Sequence, residues 1–136
     1  MDSDAKVWEL TVVPFKGFLL PDHLQEEIVA LNEQAFNWSE TFTRNDIAND
    51  CCEYYVLFNG SIMLGYVGLH FLDEEATINT FFIDQELRGQ GMATLLGRYV
   101  VDQLRQRGVR HLFLEVRHSN EAAIHLYKNL GFETLV

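Results

Sequence analysis

The segment that most limits what this chain can fold into is Arg88-Gly89-Gln90-Gly91-Met92-Ala93, set between an apolar stretch ending at Ile83 and a long amphipathic run. Met92, Leu95, Leu96, Tyr99, Val100 and Leu104 recur at the period of a helix, and Gly108 stops it after a basic last turn. Strand, glycine-rich turn and helix in that order leave backbone N–H groups free at the positive helix end. Gly89 and Gly91 carry no Cβ to hold a ligand off the backbone, and Arg88 adds a charged donor, so the turn suits phosphate oxygens.

The remaining elements follow from local pattern. Residues 7–13 read as a first strand and residues 14–20 as a loop. A helix entered at Pro21 places Leu24, Ile28, Leu31 and Ala35 on one face and runs to about Asn37, with a short second helix starting near Ser39 or Thr43. Apolar strands over 54–58 and 63–71 are joined at Asn59-Gly60, a strong hairpin signal, and a third strand over 76–83 follows the acidic turn Asp73-Glu74-Glu75. Residues 111–116 read as a buried strand. Residues 120–130 read as a helix with Ala123, Leu126, Tyr127 and Leu130 inward and Gly131 ending it. This order predicts an α/β fold: one mixed, mostly antiparallel central sheet with helices on both faces, in a single domain over 1–136.

Composition narrows the function. With 48% hydrophobic and 22% charged residues, the chain has the mix of one globular domain. It lacks a bilayer-length apolar run, and its acidic amino terminus does not resemble a signal peptide, so a cytoplasmic protein with no membrane partner is expected. Twenty acidic against ten basic residues give a net charge of −10, which disfavours nucleic acid and draws in amine-bearing partners, although solubility accounts for the same charge. Cys51 and Cys52 are adjacent, which suits neither a disulfide framework nor zinc knuckles, and they read as partly buried reduced thiols. His23, His70, His111, His118 and His125 show no metal-ligand spacing, so no metal is expected.

Three kinds of phosphate loop compete for the glycine turn. A Walker loop needs Gly-Lys followed by Ser or Thr, which is absent, and a dinucleotide fingerprint needs a third glycine where Thr94 stands. The pattern Arg88-x-x-Gly91-x-Ala93 resembles instead the pyrophosphate loop of the GNAT family of N-acetyltransferases. The resemblance continues upstream through Asp73-Glu74-Glu75-Ala76-Thr77 and Phe81-Phe82-Ile83-Asp84. Downstream it includes Leu114-Glu115-Val116-Arg117, Ser119-Asn120 and Tyr127-x-x-x-Gly131-Phe132, and in all it covers roughly residues 7–132. Phe36-Asn37-Trp38-Ser39-Glu40 further resembles the first-helix loop of the ribosomal-protein alanine N-acetyltransferase branch.

The resemblance implies acetyl-CoA as co-substrate and an amine as acceptor: a protein N-terminus such as that of a ribosomal protein, or else a small amine or a lysine. Phe81, Phe82 and Ile83 would then offer backbone groups to the pantetheine arm. Arg88, Gly89, Gln90, Gly91, Met92 and Ala93 would hold the pyrophosphate, and Asn120 would bond the same arm. For Asn120, a helix cap is the alternative. Trp38 and Glu40 would border the acceptor site. Only a neutral amine attacks a thioester, and an α-amine of pKa about 8 is largely protonated at neutral pH, so a base is needed. Glu115 matches the family's general base, its pKa expected to be raised by burial; an ion pair with Arg117 or a neighbouring basic residue is the alternative. Tyr127 matches the acid that returns a proton to the leaving sulfur; an amphipathic core tyrosine is the alternative.

One departure stands out. After Gly131-Phe132 the chain has only Glu133-Thr134-Leu135-Val136, where the family continues through a further hairpin. The expectation is a fold truncated at its carboxy-terminal end, with an open sheet edge that could pair two copies, and a non-catalytic CoA-binding module is the rival to an enzyme.

Overall fold

A computed structural model describes residues 8–135. Its elements are β1 (Leu10–Lys16), α1 (Asp22–Phe36), α2 (Glu40–Ala48), β2 (Cys52–Asn59), β3 (Ile62–Leu72), β4 (Glu75–Ile83), α3 (Met92–Gln106), β5 (His111–Leu114) and α4 (Glu121–Asn129). Short 3-10 turns cover Gly17–Leu19 and Gln85–Leu87. The five strands form one sheet in the order β1-β2-β3-β4-β5, antiparallel except for β4 and β5. The parallel step follows from the α3 crossover between those two strands. The α/β class and the mostly antiparallel sheet are those expected, and no helix among the described residues is long and apolar enough to cross a membrane.

Helices cover both faces, which is why β2 and β3 carry unbroken buried runs instead of alternation. On one face Tyr55, Leu57, Val67 and Leu69 pack with Leu96, Val100 and Leu104 of α3. On the other, Tyr54, Val56 and Tyr66 pack with Leu24 and Ile28 of α1 and Ile47 of α2. Burying each of these large side chains contributes about 1.5–3 kcal/mol. The α3 stripe is deepest at Leu96, Val100 and Leu104, while Leu95 and Tyr99 lie at its exposed rim. Arg107, which caps α3, ties it to the sheet: its guanidinium donates to both Glu53 oxygens at 2.8 Å and sits 4.5 Å from the Phe71 ring centre.

Several boundaries differ from the sequence reading. Val7 lies outside the described residues, and Pro14, expected to begin a loop, sits inside β1 opposite Tyr55. Proline is tolerated there because β1 is an edge strand whose outer side needs no ladder hydrogen bonds. Asn59 belongs to β2, so the hairpin loop is Gly60-Ser61, with Gly60 at φ +59°. In α1, Ala35 is exposed and Asn32 is fully buried in the stripe with Leu24 and Ile28. Asn37 ends α1 in the left-handed region, and the Ser39 hydroxyl accepts from the Phe42 N–H to start α2. Cys51 is exposed whereas Cys52 is fully buried, and burial, with the nearby Asp46 carboxylate, pushes the Cys52 thiol up so that it stays protonated at neutral pH.

Candidate active site

The site forms where β4 leaves β5. The two strands pair from Glu75 with His111 to Ile78 with Leu114 and no further. Next to this last pair, β4 bulges: Leu69 faces Ile78 and Gly68 faces Thr80, so Asn79 is the extra residue. A bulge adds twist and bends its strand, and here it turns the remainder of β4 away from β5. The edge of β4 through Phe81, Phe82 and Ile83 therefore faces a cleft instead of a ladder. The hydroxyl of Thr80 is buried with no hydrogen-bond partner among the described residues, a polar atom left over beside the point of divergence.

The glycine loop adjoins this cleft at the start of α3. Gly89 and Gly91 have φ of +79° and +83°, and a Cβ built on either meets no atom within 4 Å. Backbone conformation therefore requires glycine at both positions, beyond any ligand clearance. Among the described residues, the backbone N–H groups of Gly89, Gln90, Gly91, Met92, Ala93 and Thr94 find no acceptor, and the first α3 bond joins the Leu95 N–H to the Gly91 carbonyl. Such a run of free donors at a helix amino terminus is an anion cradle. The charged and amide side chains of the loop hold it in shape. Arg88 Nε donates to the Ile83 carbonyl at 3.1 Å, and Gln90 Nε2 donates to the Glu86 carbonyl at 3.1 Å.

Tyr127 and Glu115 flank the cleft in different settings. Tyr127 on α4 is half-buried, its ring centre 6.1 Å from that of Phe81 and 5.7 Å from that of Phe132. Burial pushes its phenol up, and its hydroxyl has no hydrogen-bond partner among the described residues, so it is a protonated and uncommitted donor. Glu115 departs from expectation. β5 ends at Leu114, so Glu115 is the first residue beyond the strand, exposed where a mid-strand, buried position through Val116 was expected. The physical reason is the same divergence: with β4 bent away, nothing pairs with β5 past Leu114. No ion pair to Arg117 forms among the described residues. Asn120 caps α4, its Oδ1 accepting from the Ala123 N–H at 3.1 Å, which leaves its amide NH2 free.

Trp38 and Glu40 lie on the connection between α1 and α2. The Trp38 ring stands edge-on to Phe42 at 4.7 Å, and Glu40 pairs with Arg44, which also meets Glu26 at 2.8 Å. A buried relay links this connection to β4: the Trp38 N–H donates to the Asn32 carbonyl, Tyr66 donates to Asn32 Oδ1 at 2.5 Å, and the Tyr66 ring stacks on Phe82 at 5.4 Å. Asn32 also donates to Thr43 of α2 at 3.3 Å. Asn32, Tyr66 and Thr80 were not among the site residues read from sequence. For Asn32 a signal existed, since a polar residue at the i+4 spacing after Leu24 and Ile28 stands on an apolar helix face.

The profile of the acetyltransferase (GNAT) family matches residues 19–132. The chain belongs to that family. Among curated proteins, it is 36% identical over 98 residues to the ribosomal protein bS18-alanine N-acetyltransferase of Escherichia coli, a match covering 72% of this chain and 66% of that enzyme. The match thus spans just under two thirds of the length of that GNAT relative. A putative enzyme of the same name from Bacillus subtilis is 30% identical over 113 residues, covering 82% of this chain and 74% of the relative. Among solved GNAT structures, the ribosomal-protein-S18-alanine N-acetyltransferase of Escherichia coli superposes with a TM-score of 0.79 at 27% identity, over 93% of this chain and 80% of that one. An aminoglycoside N-acetyltransferase in complex with CoA shares the fold at a TM-score of 0.73 and 12% identity, with 95% of this chain and 91% of that chain covered.

Proposed function

We propose that this chain transfers the acetyl group of acetyl-CoA to an amine, and that its acceptor is the terminal α-amine of a protein, in the cytoplasm. The observation that carries this reading is the run of unpartnered N–H groups from Gly89 to Thr94 beside the free edge of β4. That pair of features fits a ligand with a phosphorylated end and an extended amide arm. Gly89, Gln90, Gly91, Met92 and Ala93 hold the pyrophosphate by their backbone, Phe81 and Ile83 offer backbone groups to the pantetheine on either side of Phe82, whose own groups face β3, and Asn120 adds its free amide NH2. Arg88 braces the loop from the Ile83 carbonyl.

Acetyl-CoA supplies an activated thioester, and the chain's own groups manage protons. Glu115, exposed at the mouth of the cleft, accepts the proton of the incoming ammonium through water, and Tyr127, kept protonated by burial, gives a proton to the departing sulfur. Trp38 and Glu40 border the acceptor, Glu40 adding to the net negative field that favours an ammonium-bearing chain end. The names of the Escherichia coli and Bacillus subtilis relatives, both alanine N-acetyltransferases of ribosomal protein bS18, support a protein terminus over a small amine. β5 is the last strand of the described sheet, and pairing of two copies along it belongs to the same reading.

The test is calorimetric titration with acetyl-CoA followed by turnover on a peptide beginning with alanine and on a panel of small amines. Micromolar binding that is lost in Gly91→Glu supports the cradle, and absence of binding by the unmodified chain overturns it. Turnover reduced at least about 100-fold in Glu115→Ala and in Tyr127→Phe, with coenzyme affinity retained, supports the proton roles. Unchanged turnover in both removes those roles, and turnover on small amines alone removes the protein acceptor.

A further inference from the structure

A second constellation lies outside the acetyl-CoA cleft, on α2, β2 and β3. Asp46, Cys52 and His70 bring a carboxylate oxygen, a thiol sulfur and an imidazole nitrogen within 4.8 Å of one another. Asp46 is the hub: its Oδ1 meets His70 Nε2 at 2.5 Å, while its Oδ2 accepts from Cys52 Sγ at 3.6 Å and from the Tyr54 hydroxyl at 3.1 Å. Cys52 is fully buried, Asp46 retains 8% of its side-chain exposure and His70 retains 34%.

We infer that Asp46, Cys52 and His70 form a site for one divalent zinc-like cation. Sulfur, nitrogen and oxygen donors together suit zinc and its neighbours and not the all-oxygen shells of magnesium or calcium. One thiolate, one carboxylate and a neutral imidazole cancel a charge of +2, so the loaded site is neutral and compatible with its burial. The cation replaces the thiol proton. Tyr54 already makes the supporting bond that metal carboxylates use, fixing Asp46 through the oxygen that faces away from His70. Tetrahedral coordination spaces neighbouring ligand atoms by about 3.3 Å, so the His70 ring must withdraw by a little under about 1 Å, and its exposed side leaves room for this and for water as fourth ligand. The three ligands come from three elements, so a bound ion staples α2, whose buried residues are only Thr43 and Ile47, to the sheet. Spacing along the chain conceals the site: the histidine and the cysteine are eighteen residues apart, on adjacent antiparallel strands where Cys52 pairs directly with His70.

Titrating the tag-free chain with Co2+ reads the site directly. The expected result is saturation at one equivalent with a thiolate-to-cobalt charge-transfer band, displaced by Zn2+. The band is lost in Cys52→Ser and retained in Cys51→Ser, whose thiol is exposed and outside the cluster. Tyr54→Phe weakens Zn2+ binding by about 10–100-fold while keeping the band. Absence of the band in the unmodified chain overturns the inference, as does a band that survives Cys52→Ser or disappears in Cys51→Ser. The first of these readings needs no variant to fold.

Discussion

Tyr66→Phe isolates the buried relay between the α1–α2 connection and β4. Tyr66, Asn32 and Thr43 are all fully buried, and Tyr66 is the donor that satisfies Asn32 Oδ1. Removing one oxygen keeps the ring, its stack on Phe82 and nearly all of its volume, so the cavity contribution is small. What remains is an acceptor buried without a partner, which costs about 1–3 kcal/mol. For a chain of this size that corresponds to a fall in Tm of roughly 4–12 °C. Urea unfolding followed by circular dichroism, with the slope unchanged, measures the loss. Pairing the change with Asn32→Leu closes a double-mutant cycle, in which a coupling of about 0.5–3 kcal/mol is expected because the two changes remove the two ends of one bond. Coenzyme affinity is expected to survive Tyr66→Phe and to fall in Tyr66→Leu, which removes the stack on Phe82. A loss below about 0.5 kcal/mol in Tyr66→Phe, or additive single changes, refutes the relay as a stabilising unit.

Gly65→Ala tests how closely β3 supports the cleft strand: the new Cβ would stand 2.4 Å from the Phe82 carbonyl oxygen and 2.7 Å from Ile83 Cδ1, so β4 must shift, and acetyl-CoA binding measured by calorimetry is expected to weaken about tenfold, or 1.4 kcal/mol. Equal binding in the variant would show that this stretch of β4 does not hold the coenzyme. Alkaline pH should destabilise the fold through Tyr54, Tyr66 and Tyr127, whose phenols burial pushes up. Unfolded tyrosines lose protons near about pH 10 while the folded ones retain them, so the contribution is intact below that pH and lost as pH rises toward the folded values. Urea midpoints that stay constant from about pH 9 to about pH 11 contradict that linkage.

Much of the fold was legible in local pattern. The α3 stripe and the glycine loop lie where periodicity and turn chemistry put them, and the signals at Asn59-Gly60 and Asp73-Glu74-Glu75 mark their turns to within one residue, because each depends on residues within a few positions of one another. Errors fell where a neighbour elsewhere in the chain overrode the local signal. Pro14 is accommodated in a strand because that strand is at the sheet edge, and Glu115 is exposed because the bulge at Asn79, thirty-six residues earlier, carries the partner strand away.

The sequence by itself determined the glycine-rich turn, the helix that follows it and the identity of the family. These are encoded in contiguous motifs. Only the tertiary structure decided which polar residues meet. Asn32 reaches Tyr66, Arg107 reaches Glu53, and Asp46, Cys52 and His70 converge because sheet register and helix docking bring distant positions together. A period of 2 or 3.6 residues assigns a side chain to a face, but the partner it finds there is set by how the faces are assembled.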